Sequence, residues 1–524
     1  MDYLKVSKAT DLHGRDRRKY RFLEMLPGFL AWGTFLALII FSYLNPVGSA
    51  IFIILFDIYW LFLVLFLAIH LLVSYRIMKK HVSVDWKKRC EELGERKLLI
   101  PSSGQERIIS WSDMIQVIIV PTYTESLTVI RSTLDGMIHT DYPKDRFIVV
   151  LATEERAGPE GRERARIIEQ EYKDKFDTFL VTVHPDNITG ELKGKGANQA
   201  WAAAELKRLV IDPRNLDYDL ILLSVFDADT VVSSHYFYCL VYHFLTVASP
   251  YRSSFQPVPV YHNNLWQAPF FARVAAFSNT FWQMMQQLRP EKLATYSSHS
   301  MTWRALVDIG FWSTNMVSED SRIFWHCFCY YKGDYRVEPL YFPVSMDICM
   351  DKGMVRTAAN LYRQQRRWGW GVENIPYLLF NTGKQWKILD RTAKKRYLNH
   401  IFVQIYGFHS WATNALITSI LGWLPLLLGG DRFNATVLSN NLPTVTKFFM
   451  TLAMVGMVVS AIISVLVLPT SSRPKPLQYV VMLVQWIFLP VIIIAFGSIP
   501  GLEAQTRLMV GKYMGFWVTP KHRE

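Results

Sequence analysis

Leu220-Ile221-Leu222-Leu223-Ser224-Val225-Phe226-Asp227-Ala228-Asp229-Thr230 is an apolar run of strand length that ends in two aspartates. A near-continuous apolar run of this kind reads as a strand buried on both faces, inside a parallel α/β sheet. In extended chain the i, i+2 spacing of Asp227 and Asp229 sends both carboxylates to one side. Ligands on open α/β sheets bind beyond the carboxyl ends of the strands. Two hard oxygen donors at that place suit Mg²⁺ or Mn²⁺ carrying substrate phosphates. A solvated aspartate pair opening a turn gives the same three letters, so the neighbouring sequence has to decide.

Upstream, residues 114–120 form another apolar run, which ends in Pro121-Thr122-Tyr123-Thr124-Glu125. A helical stretch to His139 follows, then a strand over 147–151 leading into Ala152-Thr153-Glu154-Glu155-Arg156. A charged helix over 162–176, a strand over 178–183 and a helix opened by Gly194-Lys195-Gly196-Ala197-Asn198 complete the series. Strands alternating with helices predict an α/β domain: a Rossmann-like, mostly parallel sheet with right-handed crossovers. Residues 121–125, 153–155 and 227–229 then share one rim.

Downstream, Ser318-Glu319-Asp320 opens an apolar-aromatic helix. Acidic residues at a helix start also serve capping and the helix dipole. In Gln364-Gln365-Arg366-Arg367-Trp368, Gln364, Arg367 and Trp368 share a helix face at i, i+3 and i+4. Arginine grips phosphate oxygens in a fork and tryptophan offers an apolar plate; a basic helix lying on lipid headgroups is the competing reading.

The chain has 524 residues, 51% of them hydrophobic, and a net charge of +13. Apolar stretches over 26–44 and 50–73, joined by Asn45-Pro46-Val47-Gly48, each approach the roughly 20 residues of a membrane span. Lysines and arginines bracket the pair, which places both ends in the cytoplasm and assigns the charge to an anionic membrane surface rather than to nucleic acid. The predicted organisation is a basic tail (1–25), two transmembrane helices (26–75), a cytosolic catalytic domain (76–383), C-terminal membrane segments (384–500) and an interface helix with a loop (501–524). The five cysteines show no paired C-x-x-C spacing and read as reduced core residues.

Taken together, these motifs resemble the membrane-embedded family 2 glycosyltransferases of the cellulose synthase and hyaluronan synthase kind. Asp227-Ala228-Asp229 resembles the family's D-x-D, Ser318-Glu319-Asp320 its T-E-D, and Gln364 to Trp368 its Q-x-x-R-W. Pro121 to Glu125 resembles its P-x-Y-N-E, with Thr124 in place of the asparagine, and Lys195 to Asn198 its K-A-G-N segment. Glu154 and Glu155 stand where the family carries an Asp-Asp pair that meets the nucleotide base. Phe516-Trp517-Val518-Thr519-Pro520-Lys521 is similar to the F-x-V-T-x-K gating loop of cellulose synthases.

The resemblance implies a GT-A domain inserted between membrane helices of a multi-pass plasma-membrane protein. It implies an inverting, metal-dependent transferase using a nucleotide sugar, UDP-linked in the families resembled, and a polysaccharide or lipid-linked acceptor. Asp320, with Glu319, would be catalytic and Asp227 and Asp229 would hold Mg²⁺ or Mn²⁺. Pro121, Thr122, Tyr123, Glu125, Glu154, Glu155, Lys195, Asp227, Gln364, Arg367, Trp368, Thr519 and Lys521 would bind the donor. A non-processive transferase acting on a lipid or short acceptor, and a transporter or scaffold, are the other readings. The tail poses a topological question. Apolar segments over 401–428, 448–468 and 479–496, if all three cross, carry Lys521 away from any cytosolic nucleotide, so the expectation is that 479–496, interrupted at Pro490, is re-entrant or interfacial.

Overall fold

In the computed structural model, which describes residues 2–468 and 475–519, the chain starts with two long helices. Helix α1 (Gly14–Leu44) and α2 (Pro46–Val82) meet at Asn45, whose side chain caps α2 by accepting from Gly48 N. Both are longer than their apolar segments, because the basic flank of α1 and the basic end of α2 continue the helix out of the apolar zone. The N-terminal tail is docked rather than loose. Leu4 and Val6 are buried, Tyr377 donates to the Leu4 carbonyl at 3.1 Å, and Arg322 donates to that of Val6 at 3.3 Å.

The catalytic domain is built on seven strands: β1 (Ile115–Pro121), β2 (Phe147–Glu154), β3 (Thr178–His184), β4 (Ile221–Val225), β5 (Ser253–Tyr261), β6 (Ser300–Thr302) and β7 (Arg336–Met346). Their order is β3-β2-β1-β4-β6-β5-β7. The first four are parallel, β6 is antiparallel to both neighbours, and β7 runs parallel to β5. The sheet is thus mixed and mostly parallel. β1, β2 and β4 are buried along nearly their whole length, as their β-branched apolar sequences require of central parallel strands. One apolar cluster fills each face of the sheet.

Three helices bear on the site, α3 (Lys195–Leu206), α6 (Glu319–Tyr330) and α7 (Met354–Gly369); α4 (Tyr236–Thr246) and α5 (Phe270–Gln287) come between them in the chain.

Among the described residues, four helices are long and apolar enough to cross a membrane: α1, α2, Val437–Leu466 and Pro476–Met509; Arg391–Ser419 with Leu421–Leu428, bent by 49°, makes up to five. The bent pair leaves the catalytic domain, where His400 lies against Phe324 and Phe328. It reaches the far end of the bundle, where Phe433 and Leu442 cluster with Ala50. Val437–Leu466 returns along α2 until Tyr75 donates to the Leu466 carbonyl at 3.3 Å.

The last run then begins beside that end, with Trp486 donating to Ser464 at 3.1 Å. It finishes on the N-terminal half of α1, where Arg21 donates to the Leu508 carbonyl at 2.8 Å. Both ends of Pro476–Met509 therefore lie at the end of the bundle that adjoins the catalytic domain. Residues 501–509 are the end of this run and not a separate interface helix.

Candidate active site

Three motifs far apart in sequence converge on one ammonium group. Lys195, in the first turn of α3, donates from Nζ to Asp227 Oδ1 at 2.6 Å and to Asp320 Oδ1 and Oδ2 at 2.8 and 2.9 Å. The convergence follows from the sheet. β4 delivers Asp227 at its carboxyl end, and the N-termini of α3 and α6 bring Lys195 and Asp320 to the same rim. Burial alone would push the Lys195 ammonium down, but the carboxylates of Asp227, Asp320 and Glu319 outweigh it and hold its pKa above the ordinary lysine value.

Strand β4 stops at Val225, and Asp227 to Thr230 form a turn closed by Thr230 N donating to the Asp227 carbonyl at 2.8 Å. The extended-strand argument for the two carboxylates therefore does not describe this backbone; a turn places them. Asp227 Oδ2 accepts from Ser297 Oγ at 2.6 Å, and the buried Asp229 accepts on Oδ2 from the Asp347 amide at 2.9 Å. Both charges reach the phenol of buried Tyr261, which burial first, and then these carboxylates, push up. Mg²⁺ and Mn²⁺ are commonly held by one or two carboxylates with substrate phosphates completing the shell. This pair, deep in a field already negative enough to perturb a tyrosine, fits such an ion.

At the start of α6 the simple capping reading fails. Ser318 makes no side-chain cap; its hydroxyl donates to Glu373 Oε1 at 2.7 Å, and its amide to the same oxygen at 2.9 Å. Glu373, also receiving Trp370 Nε1 at 2.9 Å, thus fastens the loop before Asp320 to the chain just after α7. Glu319 is buried, and neither of its carboxylate oxygens has a hydrogen-bond partner among the described residues. Burial, and then the charge of Asp320, push its pKa up to about 8. A folded-state pKa raised from 4.5 gives stability that is full below about pH 4.5 and lost as pH rises toward 8. Glu319→Gln removes this titration. Its melting temperature relative to wild type is expected to rise progressively between those pH values, and a difference that stays flat across that range refutes the assignment.

On α7, Gln364 is buried and Arg367 lies with its guanidinium 5.1 Å from the centre of the Phe516 ring. Trp368 stands 6.4 Å from Tyr261, so this face meets the tyrosine beside the aspartate turn through Trp368 and the C-terminal tail through Arg367. The tail lies across the site. A Cβ on Gly194 would come within 2.5 Å of Phe516 Cγ, so only glycine admits the ring there. Trp517 lies under Arg363, and Thr519 is buried with its hydroxyl unpartnered among the described residues. Lys521 lies outside the described residues. Gly194→Ala is expected to displace the Phe516 ring and lower activity roughly tenfold, the 1–3 kcal/mol scale of overpacking. Adding Phe516→Ala should restore part of the loss; no relief would show that the ring is not what the methyl meets.

The first-strand segment and Glu154 line two different clefts, Thr122, Tyr123 and Glu125 one and Glu154 the other. Thr122 donates its amide to the Ala152 carbonyl, Tyr123 N donates to Glu125 Oε2 at 2.6 Å, and Pro121 ends β1. Glu154 is held by Arg156, whose guanidinium lies 4.1 Å from the centre of the Tyr123 ring. Glu154, Arg156, His184, Asp186, Leu192 and Lys193 line the second cleft. Glu155 instead turns to the Asp186 amide, 3.0 Å away, so of the two glutamates only Glu154 presents itself there. Ser297, Asp347, Tyr261 and Glu373 escaped the sequence reading because each is an ordinary residue type with no motif around it.

The family described as Glycosyl transferase family group 2 matches residues 222–499, just over half of the chain. The chain belongs to this family and is a glycosyltransferase. The matched region holds Asp227, Asp229, Glu319, Asp320, Gln364, Arg367 and Trp368; Lys195 and the first-strand segment lie before it. Among solved structures, the chain is similar to a mannosyltransferase from Pyrobaculum calidifontis in complex with GDP-Man and Mn²⁺, at 13% identity and a TM-score of 0.39, covering 79% of this chain and 99% of that one. It is also similar to residues 1–349 of S. aureus TarS, at 13% identity and a TM-score of 0.34, covering 67% and 90%. The UDP-GlcNAc complex of the same TarS fragment matches at 11% identity and a TM-score of 0.31, covering 64% and 92%. No curated protein matches.

Proposed function

We propose that this glycosyltransferase moves a sugar, with inversion, from a nucleotide sugar to a hydroxyl of a growing polysaccharide at a membrane. The observation that carries the reading is the single cluster of Lys195, Asp227 and Asp320 under the C-terminal tail. Asp320, held on both oxygens by Lys195, accepts the proton of the acceptor hydroxyl. The acceptor oxygen bonds to the anomeric carbon as the bond from that carbon to the diphosphate breaks. The electron pair leaves with the nucleoside diphosphate. One displacement converts an α-linked donor into a β-linkage.

Asp227 and Asp229 would hold a divalent ion, Mg²⁺ or Mn²⁺, which when bound supplies positive charge against the diphosphate. Gln364, Arg367 and Trp368 close the acceptor and diphosphate end, and Thr519 with Lys521 cap the phosphates. Tyr123 and Glu154 offer a ring face and a carboxylate to the base, which we take to be uracil. The tail's place beside the catalytic domain supports a cytoplasmic active site, with α1, α2 and the later helices in the bilayer forming the path for the product.

Purified protein given Mn²⁺ or Mg²⁺ and a panel of UDP- and GDP-sugars, with products sized, tests this reading. Long chains from a UDP-sugar are expected. Single-sugar products would shift the acceptor to a lipid or short glycan, and no transfer from any nucleotide sugar would end the proposal. Asp229→Asn is expected to reduce Mn²⁺ affinity at least about tenfold, as losing a placed charge partner does, and to abolish turnover. Wild-type turnover by this variant would remove Asp229 from the ion.

A further inference from the structure

The His81, Cys239 and His243 side chains meet where the membrane bundle joins the catalytic domain, away from the aspartate turn. His81 is in the last turn of α2; Cys239 and His243 lie at i and i+4 on α4 and so share a face. The cysteine sulfur and one nitrogen of each ring all lie within 4.8 Å of one another. We propose that these three residues bind a zinc-class divalent ion that ties the end of α2 to α4.

The tautomers support it. His81 Nδ1 faces the Leu340 carbonyl at 3.1 Å and His243 Nδ1 the Cys239 carbonyl at 2.8 Å. A peptide carbonyl only accepts, so each neutral ring carries its proton on Nδ1 and keeps a lone pair on Nε2. That is the outer-shell arrangement that orients metal-ligating histidines.

Bonds of about 2.0–2.3 Å to zinc set tetrahedral ligand atoms roughly 3.3–3.7 Å apart, so atoms that already lie within 4.8 Å of one another close on an ion with side-chain shifts on the order of 1 Å. The Cys239 thiol carries its proton in the metal-free protein, donating toward the Leu340 carbonyl at 4.0 Å. Binding therefore breaks the S–H bond, forms the metal–sulfur bond and releases the proton to solvent. The Trp86 ring lies 5.3 Å from that of His81 and 5.4 Å from that of His243, giving the site an apolar wall. Nitrogen and sulfur donors select zinc, whereas the carboxylates of the aspartate turn select Mg²⁺ or Mn²⁺, so the two sites are chemically separate.

The test is a Co²⁺ titration of the full-length protein in detergent, followed by displacement with Zn²⁺. Wild type is expected to take up one equivalent with a thiolate-to-cobalt absorption band in the near ultraviolet, bleached by Zn²⁺. Cys239→Ser should lose the band. His81→Gln and His243→Gln should each weaken cobalt binding at least about tenfold, the lower end of what losing even an outer-shell partner costs. Absence of the band in wild type, or its survival in Cys239→Ser, overturns the site. Should Cys239→Ser fail to fold, His81→Gln alters only a partly exposed side chain and decides alone; unchanged cobalt affinity there overturns the proposal.

Discussion

Asp320→Asn is expected to lower the rate of sugar transfer by a factor on the order of 10² to 10⁴, the usual contribution of a positioned general base. The substitution keeps the shape of the side chain and removes only the carboxylate that receives the proton. Lys195 retains its 2.6 Å contact with Asp227, so the donor side stays organised and nucleotide affinity should hardly move. Single-turnover rates and nucleotide titrations, measured side by side, separate the two quantities. Affinity falling in step with rate would make Asp320 a nucleotide-binding residue and leave the reaction without its base.

The second large effect belongs to Lys195. Its Nζ is the common partner of Asp227 and Asp320, and the three side chains are between 11% and 23% exposed. Lys195→Met leaves two carboxylates facing each other without the cation. Breaking a buried ion pair by removing one partner costs about 3–5 kcal/mol. The metal-free variant should therefore unfold at markedly lower temperature, and Asp320→Asn added to it should restore much of the loss by removing one of the stranded charges. Mn²⁺ should raise the melting temperature of Lys195→Met more than that of wild type, because the ion no longer competes with the ammonium for Asp227. Full stability of the single variant would show that the cluster is solvated enough to need no cation.

Which residues meet was legible in the sequence because the fold rules carry so much of it. A buried strand must be apolar, and its first polar residues fall on the rim, so the run over 220–226 announced Asp227. Helices that follow parallel strands start on that same rim, so Lys195 belongs to it as well. The mixed half of the sheet was less visible. β6 spans only Ser300–Thr302, too short for periodicity to register.

The turn at Asp227 was missed for a different reason. Two aspartates at i and i+2 look alike in extended and turning chain, and the hydrogen bond from Thr230 decides between them. Glu373 was invisible because its role is to receive Ser318 across a tertiary gap of 55 residues, and a buried acceptor of that kind leaves no local pattern. Arg322 is similar: a charged residue inside an apolar helix reads as surface, yet it is 1% exposed and donates to Asn374 at 2.7 Å.

The path of Pro476–Met509 could not be settled by composition. Its apolar length satisfies a membrane span, and only its contacts place both ends beside the catalytic domain. The chain that follows lays Phe516 onto Gly194.

The anomeric configuration of the product bears most directly on whether this site performs a single displacement. It is read by proton NMR on material made by the wild-type enzyme from an α-linked nucleotide sugar. With Asp320 as the base of a single displacement, the account predicts a β-linkage. An α-linked product, with the configuration of the donor retained, would contradict it.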